Sequence, residues 1–490
     1  MKIGKYFILV IPILIIIGLV TAIYMHYKSS KIDKTNSSSN KGKPVQPFRD
    51  IKDLESLMNR LPLSNKPAPS SDKEKKAIDD IDPELRARID ALKKKLEERL
   101  AKIKTRSPYR KVLRGQAENG NAWDYYTKAF EILKNADFDE LSKIPEIGNL
   151  DYSTFTEEQK REVREIVKKY KGVIELIKKG ATQGKCDRGD KWEEGFEVDY
   201  LSTAIQLSKF ASRGSLVIAE DSSPDEAMDL LLDSMRFGQD NSINGALINN
   251  LIGVMGEATS IGSVVDIMNN YDIDTQKLNG YIDEINILID TQPSIFDAIE
   301  TDAVAGSSYF VRMAEIYSNN ELEKVYGISI SSTLVERNIN AIERYIDVAA
   351  EIGTWEYKPY SELKYTLDSV LIDIPESEAT GLIAPAIKSA VLSVLSQTAK
   401  LDILKTALAT KIYQQENNVY PQRLSDIGYI INPMPTDPFT GELMKYRISE
   451  DGSSITIYSV GPNLKDDGGI DISQGEDDIS ITLTLKKPAK

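Results

Sequence analysis

From Pro83 to Asn417 the apolar residues of this chain recur at three- and four-residue steps, broken by polar connections. That period admits amphipathic helices packed on one another and little else. The first helix opens at Asp82, an N-cap, with Pro83 at its first helical position. Leu85, Ile89, Leu92, Leu96 and Ile103 then form one apolar seam among lysines, arginines and glutamates. Such a helix serves as a stalk, as one strand of a short coiled coil, or as a solvated helix docked on its own domain. Ala122 to Lys134 is the next. Thr156 to Gln159 is a capping box, followed by Val163, Ile166, Val167, Tyr170, Val173 and Ile177 on an inward face that Gly180 ends. Ser223-Pro224-Asp225-Glu226 is a second box. Ile243 to Asn269 is rich in Gly245, Gly253, Gly256 and Gly262, which lets helices approach closely. Short connections between the later helices imply antiparallel hairpins. The fold expected for residues 83–383 is therefore an all-α bundle or array of helical hairpins, with no fixed repeat.

At 490 residues the chain exceeds one ordinary core. Its formal net charge of −14 argues against a nucleic-acid partner, which needs a basic face to displace counterions. Histidine gives a sharper exclusion. The single one is His26, so no Ser-His-Asp triad and no histidine-built metal site is available beyond it. Cys186 is also alone, which rules out a disulfide within the chain; it reads as a loop or part-buried thiol without a base.

Residues 1–5 form a short basic tail. Residues 6–25 carry no charge and are long enough to span a bilayer, with Tyr24 and Tyr27 at the far interface. An uncleaved transmembrane anchor is the expectation, and a cleaved signal peptide the alternative. Either sends the bulk out of the cytoplasm, and the anchor leaves it extracytoplasmic on the cytoplasmic membrane. Residues 29–82, rich in Ser, Pro and Lys, are expected to be a disordered linker. Arg188-Gly189-Asp190 matches an adhesion tripeptide, and Trp192-Glu193-Glu194 would suit a sugar cleft. A tripeptide matches by chance, and a tryptophan anchoring a loop beside solvated carboxylates explains the second equally well.

Residues 384–490 change character. A long helix to Asn417 gives way to Pro421, Pro433, Pro435 and Pro438, then to Asp437-Pro438 and Thr440-Gly441 turn chemistry. Leu443–Ser449 and Ser454–Val460 flank Glu450-Asp451-Gly452 as a hairpin, and Ile479–Leu485 alternates as a half-buried strand. Between them lies an acidic loop with Asp466, Asp467, Asp471, Glu476, Asp477 and Asp478. Its carboxylates, the Asn463 amide and carbonyls near its glycines are hard ligands of the kind calcium prefers, without EF-hand spacing. A solvated acidic loop fits the composition as well.

The long helix ending in Tyr420-Pro421, the turn Asp437-Pro438-Phe439-Thr440-Gly441, Lys445-Tyr446-Arg447, and Tyr458-Ser459-Val460-Gly461 with its acidic tail together resemble the globular domain of the major pseudopilin of bacterial type II secretion. The resemblance implies a small α+β domain of long helix and antiparallel strands. It also implies a calcium site in the loop after the second strand, with ligands at Asn463 and Asp478; Asp466, Asp467 and Asp477 would supply further charge. Two features depart from the family. The anchor has no acidic residue, and the whole helical region separates anchor from module. The functional expectation is a membrane-anchored extracytoplasmic protein, structural or partner-binding, with an unknown protein partner and no enzymatic activity. The alternatives are an exported glycan-acting enzyme using carboxylates alone, and an accessory subunit of a type II secretion-like system.

Overall fold

The computed structural model describes residues 83–136, 155–190, 200–317, 332–375, 377, 380, 383–470 and 478–484. The expected anchor, the linker and Trp192-Glu193-Glu194 lie outside the described residues. The described chain is mainly helical, with twelve α-helices and two small sheets.

Helix α1 (Pro83–Lys104) buries Leu85, Ile89, Leu92, Leu96, Leu100 and Ile103. This seam packs on Val304, Ala305, Val311, Ile339, Ile342 and Ile346 of α9 (Ile295–Tyr317) and α10 (Ser332–Ile352). The helix is thus docked on its own chain. Ion pairs flank the seam, Arg88 to Glu343 at 2.7 Å and Lys95 to Asp347 at 2.5 Å. Exposed pairs of this kind contribute little, so the apolar seam carries the docking.

A second core gathers α2 (Ala122–Lys134), α3 (Glu157–Lys169), α4 (Lys171–Ala181) and α5 (Leu201–Asp221) around Tyr126, Phe130, Ile177, Leu207 and Phe237. The Thr156 capping box forms as expected: Gln159 N donates to Thr156 Oγ1 and Thr156 N to Gln159 Oε1. The helix after it is interrupted at Tyr170, which leaves helical geometry with φ −103° and ψ 21°. Gly180 lies inside α4 rather than beyond it. A Cβ there would sit 2.3 Å from the Tyr126 ring, so the glycine makes room for the aromatic core. One short parallel pair was not expected in an all-α region: β1 (Glu118–Asn121) lies beside β2 (Gln183–Lys185).

The centre is built by α6 (Pro224–Ser242), α7 (Leu247–Asn270), α8 (Thr275–Asp290) and α12 (Ile383–Asn417), with α11 (Tyr360–Ile372) at the side. By length and composition α7 could cross a membrane. It serves instead as a core helix, packed between α5, α6 and α12. Its approach to α6 is glycine-limited: a Cβ on Gly253 would meet the Gly238 carbonyl oxygen at 2.4 Å.

Helix α12 runs 35 residues, and from Ala399 to Ile412 it is buried nearly all round. It joins the bundle to an antiparallel sheet of β3 (Lys445–Ile448), β4 (Ser454–Ser459) and β5 (Ile479–Thr484), with β4 central. Lys445 pairs with Tyr458, and Ser459 with Ile479. Ile455, Ile457, Ile481 and Leu483 belong to the same cluster as Leu404 and Leu408 of α12 and Val264 and Ile267 of α7. One core thus runs from the bundle into the sheet, across the boundary expected at residue 384. Asn269 closes the outer edge of β5, accepting from Thr484 N at 2.9 Å and donating to the Thr482 carbonyl at 3.3 Å.

Candidate functional site

The turn that opens the C-terminal module is held by one buried carboxylate. Asp437 is 1% exposed. Its Oδ1 accepts from Phe439 N and from the Ser459 hydroxyl, both at 2.8 Å, and its Oδ2 accepts from Val460 N at 3.0 Å. The proline at 438 and the positive φ of Gly441 (+80°) tighten the loop so that Gly441 N reaches the Asp437 carbonyl at 2.7 Å. The same turn receives α11: Tyr360 N donates to the Pro438 carbonyl and Ser361 N to the Phe439 carbonyl. Phe439 is fully buried, edge-on to Tyr360. The motif residues therefore clamp the end of β4 to the start of α11.

The acidic loop is folded on its own amides. Asp478 is buried and accepts from Gly469 N at 2.7 Å and Asp467 N at 3.4 Å. Burial pushes its carboxyl above the usual range, against those two amides. Asp466 accepts from Tyr458 Oη at 3.0 Å and Gly468 N at 3.1 Å, and Asp467 accepts from Asn463 Nδ2 at 2.8 Å. Asn463 Oδ1 accepts from Lys465 N. Of the five expected metal ligands, Asn463, Asp466, Asp467 and Asp478 are thus brought into one loop, while Asp477 lies outside the described residues. Among the described residues no three carboxylates converge on a metal position. Each of these four side chains has at least one oxygen turned to an N–H or O–H donor, not to a shared centre.

A second polar assembly, which the sequence reading did not single out, lies inside the bundle. Asp240, fully buried on α6, meets Arg110 Nε at 2.5 Å and accepts from Tyr126 Oη at 2.7 Å. Arg110 also donates to the Gly180 and Ala181 carbonyls at the C-terminus of α4. One turn earlier on α6, the fully buried Arg236 donates through Nη1 to Gln239 at 3.1 Å and to Thr291 Oγ1 at 3.0 Å. Its Nε and Nη2 have no hydrogen-bond partner among the described residues. Burial lowers its pKa to about 10, which leaves it charged at neutral pH. Glu257 on α7, bonded to Gln397 Nε2 at 3.2 Å, is pushed up by burial to about 8. Cys186 lies in the loop after β2, as expected, and is fully buried: its thiol donates to the Asp240 carbonyl at 3.6 Å, and burial raises its pKa well above the usual value. Arg188 of the adhesion-like tripeptide is likewise turned inward. It is bonded to Asp190 and the Asn241 carbonyl with its side chain 3% exposed.

Above this assembly opens a cleft of about 480 Å³ between residues 107–111, 242–245 and 291–298. A third group sits across α6: Arg114 binds Asp233 and Glu284 together, with Asp229 nearby. Burial raises Asp233 and Glu284 to about 7 each. Both carboxylates are tied to the one guanidinium, which makes this a structural ion cluster in form.

Comparison with family models, with curated proteins and with solved structures finds no match to this chain.

Proposed function

We propose that this chain is a membrane-anchored extracytoplasmic protein with a structural, partner-binding role, and that its pseudopilin-like module braces the helical body instead of polymerising. The observation that carries the reading is where the motif residues are spent. Asp437 holds Ser459 and Val460, Phe439 is buried on Tyr360, and α12 is covered by α7, α8 and the sheet. From Ala399 to Ile412 this helix is buried nearly all round, which leaves that stretch no face for a second copy. The uncharged run at residues 6–25 supports the anchor. Calcium in the acidic loop rests on the loop's composition and on the family resemblance, with Asn463, Asp466, Asp467, Asp477 and Asp478 as its ligands.

Cell fractionation tests the reading. The full chain is expected in the membrane fraction, resistant to alkaline carbonate. Its bulk should be digested by protease added outside the cytoplasmic membrane. A soluble, protease-protected cytoplasmic protein would overturn it. Release of fragments from peptidoglycan, abolished by Glu193→Gln or Glu194→Gln, would replace it with the enzymatic alternative.

A further inference from the structure

We propose that Arg114 and the three carboxylates around it form a proton-operated clasp, which holds the strap at residues 105–117 onto α6 and α8 in acid and loosens as the pH rises. The strap joins α1 to β1. It walls the cleft of about 480 Å³ through Tyr109, Arg110 and Lys111, and a second pocket of about 210 Å³ through Leu113 and Arg114.

Three arginines at four-residue steps pin the strap, and a count of charges separates them. Arg106 meets Asp297 at 3.1 Å and Glu300 at 2.6 Å, and Glu300 is shared with Arg99 at 3.1 Å, so anions are not in excess there. Arg110 meets the single carboxylate of Asp240 at 2.5 Å. Of the three, Arg114 alone is outnumbered. Its Nη1 faces Glu284 at 2.5 Å and Asp229 at 3.6 Å, and its Nη2 binds Asp233. The Asp233 and Glu284 side chains are 6% and 9% exposed, so water screens them little, whereas Asp229 is 34% exposed. Carboxylates crowded in this way do not all ionise together, and the proton that one of them keeps belongs to the group. Burial, aided by the neighbouring carboxylates and opposed by Arg114, holds Asp233 and Glu284 at about 7 each.

The other charged groups near the cluster, among the described residues, do not supply the missing cation. Lys178 of α4 favours the charged form of Asp233 but is paired with Glu226 at 3.2 Å. Tyr281 of α8 donates to the Asp225 carbonyl at 3.2 Å, and the Asp225 side chain adds negative charge beside that ring. A carboxyl whose pKa is raised in the closed form stabilises that form in acid and ceases to do so as the pH rises through the raised value. Above about pH 7, Asp229 and Glu284 are both ionised and compete for Nη1. Glu284 is the longer side chain and sits alone on α8, so it is the one to turn to water, and α8 then loses its tie to the strap.

Hydrogen exchange of the full chain in detergent, from about pH 5.5 to about pH 8.5 and corrected for the chemical rate, reads the clasp in the amides of α8 at residues 278–288. With Glu284 at its ordinary 4.5 when open and about 7 when closed, opening should rise at least about tenfold over that range. Amides of α7, where Glu257 titrates separately, are followed in the same spectra as the reference. Glu284→Gln keeps the shape and removes the titration, so exchange in α8 should lose its pH dependence relative to α7. Asp229→Asn, at a part-exposed position, relieves the competition at Nη1 and should move the midpoint to lower pH, a shift that lost packing alone does not produce. Exchange in α8 that is flat with pH in the parent, an undiminished pH dependence in Glu284→Gln, or an unmoved midpoint in Asp229→Asn would overturn the proposal.

Discussion

Replacing Asp437 with alanine probes the clamp that joins sheet to bundle. The change leaves three buried donors without a partner: the amides of Phe439 and Val460 and the hydroxyl of Ser459. Each orphaned buried donor costs about 1–3 kcal/mol. Removing the carboxylate also removes its own burial penalty, so the net loss is below the sum, at about 3 kcal/mol. Ser459→Ala removes one donor to Asp437 but also the acceptor of the buried Gly461 amide at 3.1 Å, so its cost is about 1–3 kcal/mol. The two positions share a bond, so the double variant should be less unstable than the sum by about 1 kcal/mol. A chain of this size does not unfold in one step, so the readout is native-state hydrogen exchange of β4 and the Val460 amide. A loss of 3 kcal/mol appears as roughly a hundredfold faster exchange there. Exchange in Asp437→Ala within a factor of two of the parent, or strict additivity with Ser459→Ala, would refute the clamp.

Gly253→Ala should destabilise by about 1–3 kcal/mol, because its Cβ would meet the backbone of α6. Gly280→Ala on α8 meets nothing within 4 Å and should stabilise by about 0.5–1 kcal/mol; thermal melting of the pair reads the opposite signs. Glu257 has a folded pKa of about 8 against an ordinary 4.5. Its proton is held more tightly when folded, so its contribution is full below pH 4.5 and is lost as pH rises through 8. Glu257→Gln should therefore flatten the fall of melting temperature between those limits, and an unchanged slope would contradict the assignment. For calcium, the full chain should melt higher in calcium than in chelator, by about 2.7 kcal/mol at a hundredfold excess over Kd, and an unmoved midpoint would sink the metal.

The helical body was legible wherever local chemistry sets a boundary. Thr156 and Ser223 start helices where they should, the first with a full box and the second with the serine side-chain cap, and α2 falls on its expected ends. The break at Tyr170 was not read, because it interrupts an unbroken apolar period; Gly172, two residues on, is the one local signal of it. Nor were β1 and β2, whose short polar sequences, Glu118–Asn121 and Gln183–Lys185, carry no apolar alternation. The interior charges were hidden for a different reason. Asp233, Arg236 and Asp240 step along α6 at three- and four-residue intervals, a spacing that usually marks a solvated face. The signal that they turn inward lies beside them, in the apolar Leu230–Leu232 and Met235 and the close-approach Gly238, which leave α6 no second face to bury. The C-terminal strands were read within a few residues, whereas the common core of module and bundle depends on contacts far apart in sequence.

That common core has a consequence for how the chain acquires its structure. Residues emerge from the N-terminus first, and α6, α7 and α8 appear long before α12. Until Ala390–Ile412 and the strands beyond arrive, the apolar faces of Val264, Ile267 and Leu288 have nothing to close over them. The central helices must wait in an open state, and their completion falls to the last hundred residues. A stop codon anywhere before Leu483 would therefore do more than trim an appendage: it would leave the bundle itself unfinished, a target for proteases.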